Sequence, residues 1–289
     1  MKYDIDKVPA KWNDMEARLT IDADYPDGNS PAAKTLQRWL CELFTARDFQ
    51  GQIITGKQLM ERVEANFIEA NPVEAMKSVA EDGAEEGNWF YNYRVKKEYE
   101  SSRIASFTYS WDAYQVGNAT SNANIIDITV CKTDGRILGW DMFTSVRQLK
   151  KLLDKQLVEK FGEEGDDLYL RGTPPMPRAP LFLKDGVRCD FGDYTIYIPH
   201  VYEETGEYPF DFLEYSDIEH LLTDEAKALL GLSRQTPSLN EPEPASDPQV
   251  NAELFRVYLK SWDNLHNLRQ TEDFKFDYAP NVDYYGMKV

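Results

Sequence analysis

The sequence predicts an α+β fold, with antiparallel sheets, helices packed on one face, and two closely joined parts followed by a C-terminal helical tail. Three observations predict it. Apolar residues recur with period two in some stretches and with helical period in others. Turns containing Gly, Asn and Asp separate consecutive period-two stretches. Short connections of that kind favour antiparallel neighbours.

The elements follow in chain order. Met15, Ala17, Leu19 and Ile21 alternate with polar residues, as a half-buried strand does. After an Asp27-Gly28 turn, Ser30 caps a helix with Pro31 at its first position, where a missing N–H costs nothing. Leu36, Trp39, Leu40, Leu43 and Phe44 fall on one face of that helix, and Gly51 marks its exit. Leu59, Val63 and Phe67 mark a second helix after Gly56, ending near Asn71-Pro72.

Beyond a loop over Glu81–Gly87 the period becomes two. Trp89, Tyr91, Tyr93 and Val95 point one way, with Asn92, Arg94, Lys96 and Glu98 opposite. The next strand carries Ile104, Ser106, Thr108 and Ser110 on one side and Phe107, Tyr109 and Trp111 on the other. A turn spans Gln115–Asn124, Ile126, Ile128 and Val130 form another strand, and Thr133-Asp134-Gly135 turns into a strand beginning at Ile137-Leu138.

Leu149, Leu152, Leu153, Leu157 and Phe161 line an amphipathic helix stopped by Gly162–Asp167. Thr173–Pro180 is a stiff connector. Two strands folded by Asp185-Gly186 follow, then a Glu/Tyr-rich excursion and a helix entered at Ser216 that resumes at Thr223–Leu230. Pro237–Pro248 reads as a linker, and Leu254 to Leu268 as a terminal helix with an edge strand after it. The parts divide as 1–170, 171–235 and 236–289.

Composition bounds the function. The chain has 289 residues, 42% hydrophobic and 13% aromatic, so it folds around sizeable cores and favours sheets. A net charge of -18 repels nucleic acid and anionic lipid and suits a cationic partner. No apolar run has the length of a membrane span. Met1–Asn13 holds no signal-peptide core, which leaves two expectations. The protein is cytoplasmic if Met1 is the native start, or extracytoplasmic if a leader preceded this chain. Cys41, Cys131 and Cys189 have no metal-site spacing; Cys189 shares strand parity with Val187 and is expected to be a buried thiol.

Two regions resemble the extracytoplasmic domains of RsiV-type anti-sigma factors and of PdaC-type peptidoglycan deacetylases, both domains of unknown function. One is the strand meander with the Trp140-Asp141-Met142-Phe143 step before the Leu149–Phe161 helix. The other is Leu181–Val187, the Tyr197-Ile198-Pro199-His200 step and Phe212–Ile218. The resemblance covers about 15 to 230. Where many relatives carry a Gly-Gly-Ala-His turn, this chain has Gln115–Thr120 without the histidine. The resemblance implies a cell-envelope binding or sensing module, and a lysozyme-like basic protein or a peptidoglycan fragment as partner.

The residues name no reaction. His200, His220 and His266 are scattered, with no HExxH, GxSxG, GxGxxG or P-loop pattern. No catalytic residue, cofactor or metal is expected. Asp112 beside Trp111, and Glu203-Glu204, place carboxylates near aromatics, where a sugar could stack and hydrogen-bond; a carbohydrate-active hydrolase needs two such carboxylates facing each other. The expected contact residues are Tyr114, Asn118, Asn122, Tyr202, Glu204 and Tyr208. A deacetylase-associated accessory domain and a purely structural domain are the other readings.

Overall fold

The computed structural model describes residues 1–45, 55–69, 72–81, 89–114, 122–161, 176–190 and 210–232. The fold class is α+β, as the sequence predicts. A five-stranded sheet runs β1 (Lys2–Trp12), β2 (Met15–Asp24), β3 (Trp89–Glu100), β4 (Ile104–Tyr114) and β5 (Asn122–Cys131) in chain order. It is mixed rather than wholly antiparallel, because β2 and β3 pair in parallel. The chain between them crosses over through α1 (Pro31–Thr45), α2 (Gly56–Glu69) and α3 (Pro72–Glu81), and a crossover returns the chain in the same direction.

Binary patterning decides the sheet's inner face. Leu19 and Ile21 of β2, Trp89, Tyr91 and Val95 of β3, Phe107 and Tyr109 of β4 and Ile126 and Ile128 of β5 pack with Leu36, Trp39, Leu40, Leu59 and Val63 of the helices. Trp39 and Phe44 meet the Tyr109 ring edge-on, at 6.5 and 5.2 Å between centroids, a favoured aromatic geometry. Ser30 caps α1 as expected, its Oγ accepting from Ala33 N at 3.2 Å.

A second sheet holds β6 (Pro180–Phe182), β7 (Gly186–Asp190) and β8 (Phe210–Glu214), all antiparallel. Its apolar residues Phe182, Val187, Cys189 and Leu213 share a second core with Ile104, Cys131, Leu138, Met142 and Phe143, and with Leu149 and Leu153 of α4 (Val146–Phe161). Ile104 and Cys131 have the opposite parity to Phe107 and Ile128. The second sheet therefore lies on the outer face of the first, away from α1–α3.

Several local expectations change. Ile137 makes a single bridge to Val130 and starts no strand. The region around Ser216 is one turn of helix, α5 (Tyr215–Ile218), with Glu214 as its N-cap, so Ser216 lies inside it. A 3-10 turn over Glu219–Leu221 follows, then α6 (Asp224–Leu230), capped by Thr223 through Ala226 N at 3.1 Å. Cys41, Cys131 and Cys189 are buried and form no disulfide, and Cys189 was expected to be a buried thiol. The Glu81–Gly87 loop beyond its first residue, the Tyr194–Ile198 strand and the terminal linker and helix lie outside the described residues.

Candidate functional site

Alternation in the five strands leaves one face turned away from α1–α3. Along β3 it carries Phe90, Asn92, Arg94 and Lys96, and along β4 Ser106, Thr108, Ser110, Asp112 and Tyr114. Beside them β5 contributes Ile125, Asp127 and Thr129, opposite Ser110, Thr108 and Ser106. The second sheet covers the part of this face nearest Ile104. Ser106, Thr108, Asp127 and Thr129 are buried there, whereas Asn92, Ser110, Asp112 and Tyr114 are half-exposed and Arg94 is exposed.

The covered part is a polar seam. The Thr129 hydroxyl accepts from Phe182 N at 3.1 Å and lies 3.0 Å from Ser106 Oγ, which donates to Phe182 O. These hydroxyls satisfy backbone groups of β6, an edge strand that would otherwise bury them unpaired. Next along the seam, Arg188 of β7 grips Asp127. Its Nη2 donates to Asp127 Oδ1 at 2.7 Å and to Thr108 Oγ1 at 2.6 Å, and Nε donates to Asp127 Oδ2 at 3.3 Å. Glu98 Oε1 stands 3.9 Å from Arg188 Nη1, and Lys96 pairs with Glu98 at 2.8 Å. Burial pushes the Asp127 carboxyl above its ordinary value, and the attraction of Arg188 offsets this only in part. Burial opposes the charge on the Arg188 guanidinium, and the carboxylates around it outweigh burial and hold it above its ordinary value.

The open part combines rings with hydrogen-bonding groups. Phe90 and Tyr114 are directly opposite in the β3–β4 register and stack at 6.0 Å with 25° between planes. One step inward, Asn92 Nδ2 donates to Asp112 Oδ2 at 2.9 Å, and Arg94 stands opposite Ser110. Toward β1 the face becomes charged: Arg18 makes two bonds to Asp6 at 2.7 and 2.8 Å, and Lys2 pairs with Asp22 at 3.1 Å. Chemically this surface offers ring faces for stacking and an amide–carboxylate pair for hydroxyls or cations. Among the described residues no group of His, Cys, Asp and Glu has the arrangement to hold a metal ion.

Of the sequence-predicted contact residues, Tyr114 ends β4 on this open face. Asn122 opens β5 opposite Ala113, one register step from Tyr114. Asn118, Tyr202, Glu204 and Tyr208 lie outside the described residues, as do Glu203, His200 and His266. His220 is exposed on the 3-10 turn. Asp112 keeps company with Phe90 and Tyr114 rather than with Trp111, which points to the helix side and packs on that core. Sequence reasoning singled out neither Asp127 nor Arg188. Their signal was a charge inside an apolar strand, Ile126-Asp127-Ile128 and Val187-Arg188-Cys189.

A solved DUF3298 family protein from Bacteroides fragilis superposes with a TM-score of 0.56 at 15% identity, covering 79% of this chain and 94% of that one. The chain shares its fold with DUF3298 proteins. A second, from Pseudomonas aeruginosa, gives 0.50 at 15% identity, with 78% and 94% covered. No protein-family model matches the sequence, and no curated protein does.

Proposed function

We propose that the chain is a non-enzymatic binding module of the cell envelope, and that it meets a basic, lysozyme-like protein on the open half of its outer sheet face. The observation that carries this reading is the half-exposed Phe90–Tyr114 pair beside the hydrogen-bonded Asn92–Asp112 pair, on a chain of net charge -18. Aromatic anchors supply contact area at low entropic cost, and negative potential steers a cationic partner. The resemblance of the sequence to RsiV- and PdaC-type domains points the same way.

On the open face, Asp112 stands too far from Asp127 to form a hydrolytic carboxyl pair with it. Asp127 stands opposite Thr108, four residues from Asp112 along β4, which is roughly 13 Å at strand rise. Glycoside hydrolysis uses carboxyl pairs about 5 to 9.5 Å apart. Asp127 is moreover held by Arg188 and Thr108. A glycan is the second reading, favoured by the stacked rings beside an amide–carboxylate pair.

Calorimetric titration of the full chain with lysozyme and with peptidoglycan fragments tests both readings. The wild type is expected to give heat that weakens with salt, and Tyr114→Ala, assayed well below its own melting temperature because Tyr114 also packs on the inner core, to lower affinity about tenfold. Heat from peptidoglycan fragments alone selects the glycan reading. No heat with either ligand overturns the proposal.

A further inference from the structure

The two edges of the large sheet are finished differently. On the β5 side the chain itself closes the edge at its Thr129–Cys131 end, where Cys131 N donates to Arg136 O and Leu138 N to Thr129 O, both at 2.8 Å. On the other side β1 pairs only with β2. The phase of that pairing follows from its first rung. Met1 and Tyr25 exchange both backbone bonds, at 2.9 and 2.8 Å, and such rungs alternate along an antiparallel pair. Tyr3, Ile5 and Lys7 therefore bond toward β2, while the N–H and C=O groups of Lys2, Asp4 and Asp6 point away from it. Among the described residues nothing pairs with these outward groups, and all three residues are exposed.

A regular edge of this kind is a template for another strand, and folded chains usually blunt it. Beyond Lys7 this one is blunted: a bulge shifts the register between Lys7 and Ala10, and Pro9 carries no N–H. The stretch before Lys7 has neither device, and its charges are self-complementary. When two copies of β1 run antiparallel and are centred on Tyr3, Lys2 of each copy stands opposite Asp4 of the other. Each of those rungs exchanges both backbone bonds, because Lys2 and Asp4 both point outward. The Lys2 side chain is 64% exposed where it meets Asp22, which leaves it room to reach a second carboxylate. On the helix side of the same rungs Tyr3 meets Tyr3 and Ile5 meets Met1, which is 67% exposed.

We propose that β1 is a dimerisation edge, whose Met1–Ile5 segment pairs antiparallel with the same segment of a second copy about a twofold axis at Tyr3. The two five-stranded sheets then continue into each other. The contact is isologous, so it closes at two copies and does not propagate. The paired stretch is short, which makes the dimer a weak, micromolar one. The net charge of -18 on each copy opposes approach at low salt and is screened at physiological salt. The edge is separate from the open half of the outer face, so the dimer stands or falls apart from partner binding there.

Sedimentation velocity of the full chain at physiological salt, from micromolar to millimolar concentration, tests it. The wild type is expected to pass from monomer to dimer. Asp4→Pro is expected to stay monomeric and to keep the dilute wild type's melting temperature, because it removes an N–H that points away from β2 and sets a ring in the path of the incoming strand. Lys2→Asp places like charges opposite each other on both rungs and is expected to weaken the dimer about tenfold, and adding Asp4→Lys to restore it. A monomer at every concentration overturns the proposal and leaves the edge to a foreign strand. A dimer that survives Asp4→Pro, that ignores Lys2→Asp, or that the second charge change does not rescue has its contact elsewhere and overturns it as well. If Asp4→Pro fails to fold, the charge exchange still decides.

Discussion

At the scale of single residues, position in the strand pattern settles what each charge does. Glu100 shows the surface case. Lys132 and Lys97 donate to its two oxygens at 2.8 and 2.7 Å, and these bonds hold its carboxyl below the ordinary value of 4.5. A carboxyl whose folded value is depressed adds stability above its unfolded value and loses it as pH falls through the folded one. Thermal unfolding of wild type and Glu100→Gln is therefore expected to differ most above the ordinary glutamate value and to converge as pH falls below it. A difference that grows with acid would contradict the assignment. Asp127 has the opposite sign, because burial outweighs its partners there. Periodicity could show that Asp127 and Thr108 share strand parities, yet only pairing of β4 with β5 makes them neighbours.

At the scale of elements, the Asp134-Gly135 and Asp185-Gly186 turns look alike in sequence and work differently. Gly135 has φ +76, a left-handed conformation, and a Cβ there would stand 2.6 Å from Pro31 O at the start of α1. Its own carbonyl accepts from Thr35 Oγ1 at 2.8 Å, so the turn docks onto α1. Gly186 instead gives room: a Cβ would press on the backbone carbonyl of Leu213 in β8. Gly135→Ala is expected to cost about 2 kcal/mol or more in denaturant unfolding, through strain and overlap together. A cost within experimental error would show that the turn relaxes freely.

Elements with strong patterns were legible: β2, β4, α1 and α2 lie where period and caps put them. Strand β1 was not, because it is an edge strand whose alternation breaks at a bulge between Lys7 and Ala10. Helix α3 was missed because Pro72 reads equally as a stop and as a first helical residue, and here it is the latter. The parallel pairing of β2 with β3 joins strands far apart in sequence, which no local turn signal announces.

At the scale of the whole molecule, the two cores share strands. Ala105, Phe107, Ile126 and Ile128 belong to the inner core, while Ile104 and Cys131 of the same β4 and β5 belong to the outer one. Phe182, fully buried, stacks on Phe143 at 6.0 Å and ties the second sheet to the segment before α4. Phe182→Ala is expected to cost about 3–5 kcal/mol. Calorimetry should show one endotherm moved as a whole, since neither core can melt without stripping β4 and β5 of a face. Two separated endotherms would mean that the cores unfold independently.

The sequence by itself determined the α+β class, the inner face of the large sheet, the main caps and turns, and the acidic, aromatic character of the chain. Those properties are local or additive: period, cap chemistry and charge need no knowledge of distant partners. The tertiary structure alone decided which face remains open, that Tyr114 stands with Phe90 and Asp112 on it, and that Arg188 reaches Asp127 across the seam. Those depend on strand pairing between distant segments, and a one-residue change of register would place every one of these side chains on the opposite face.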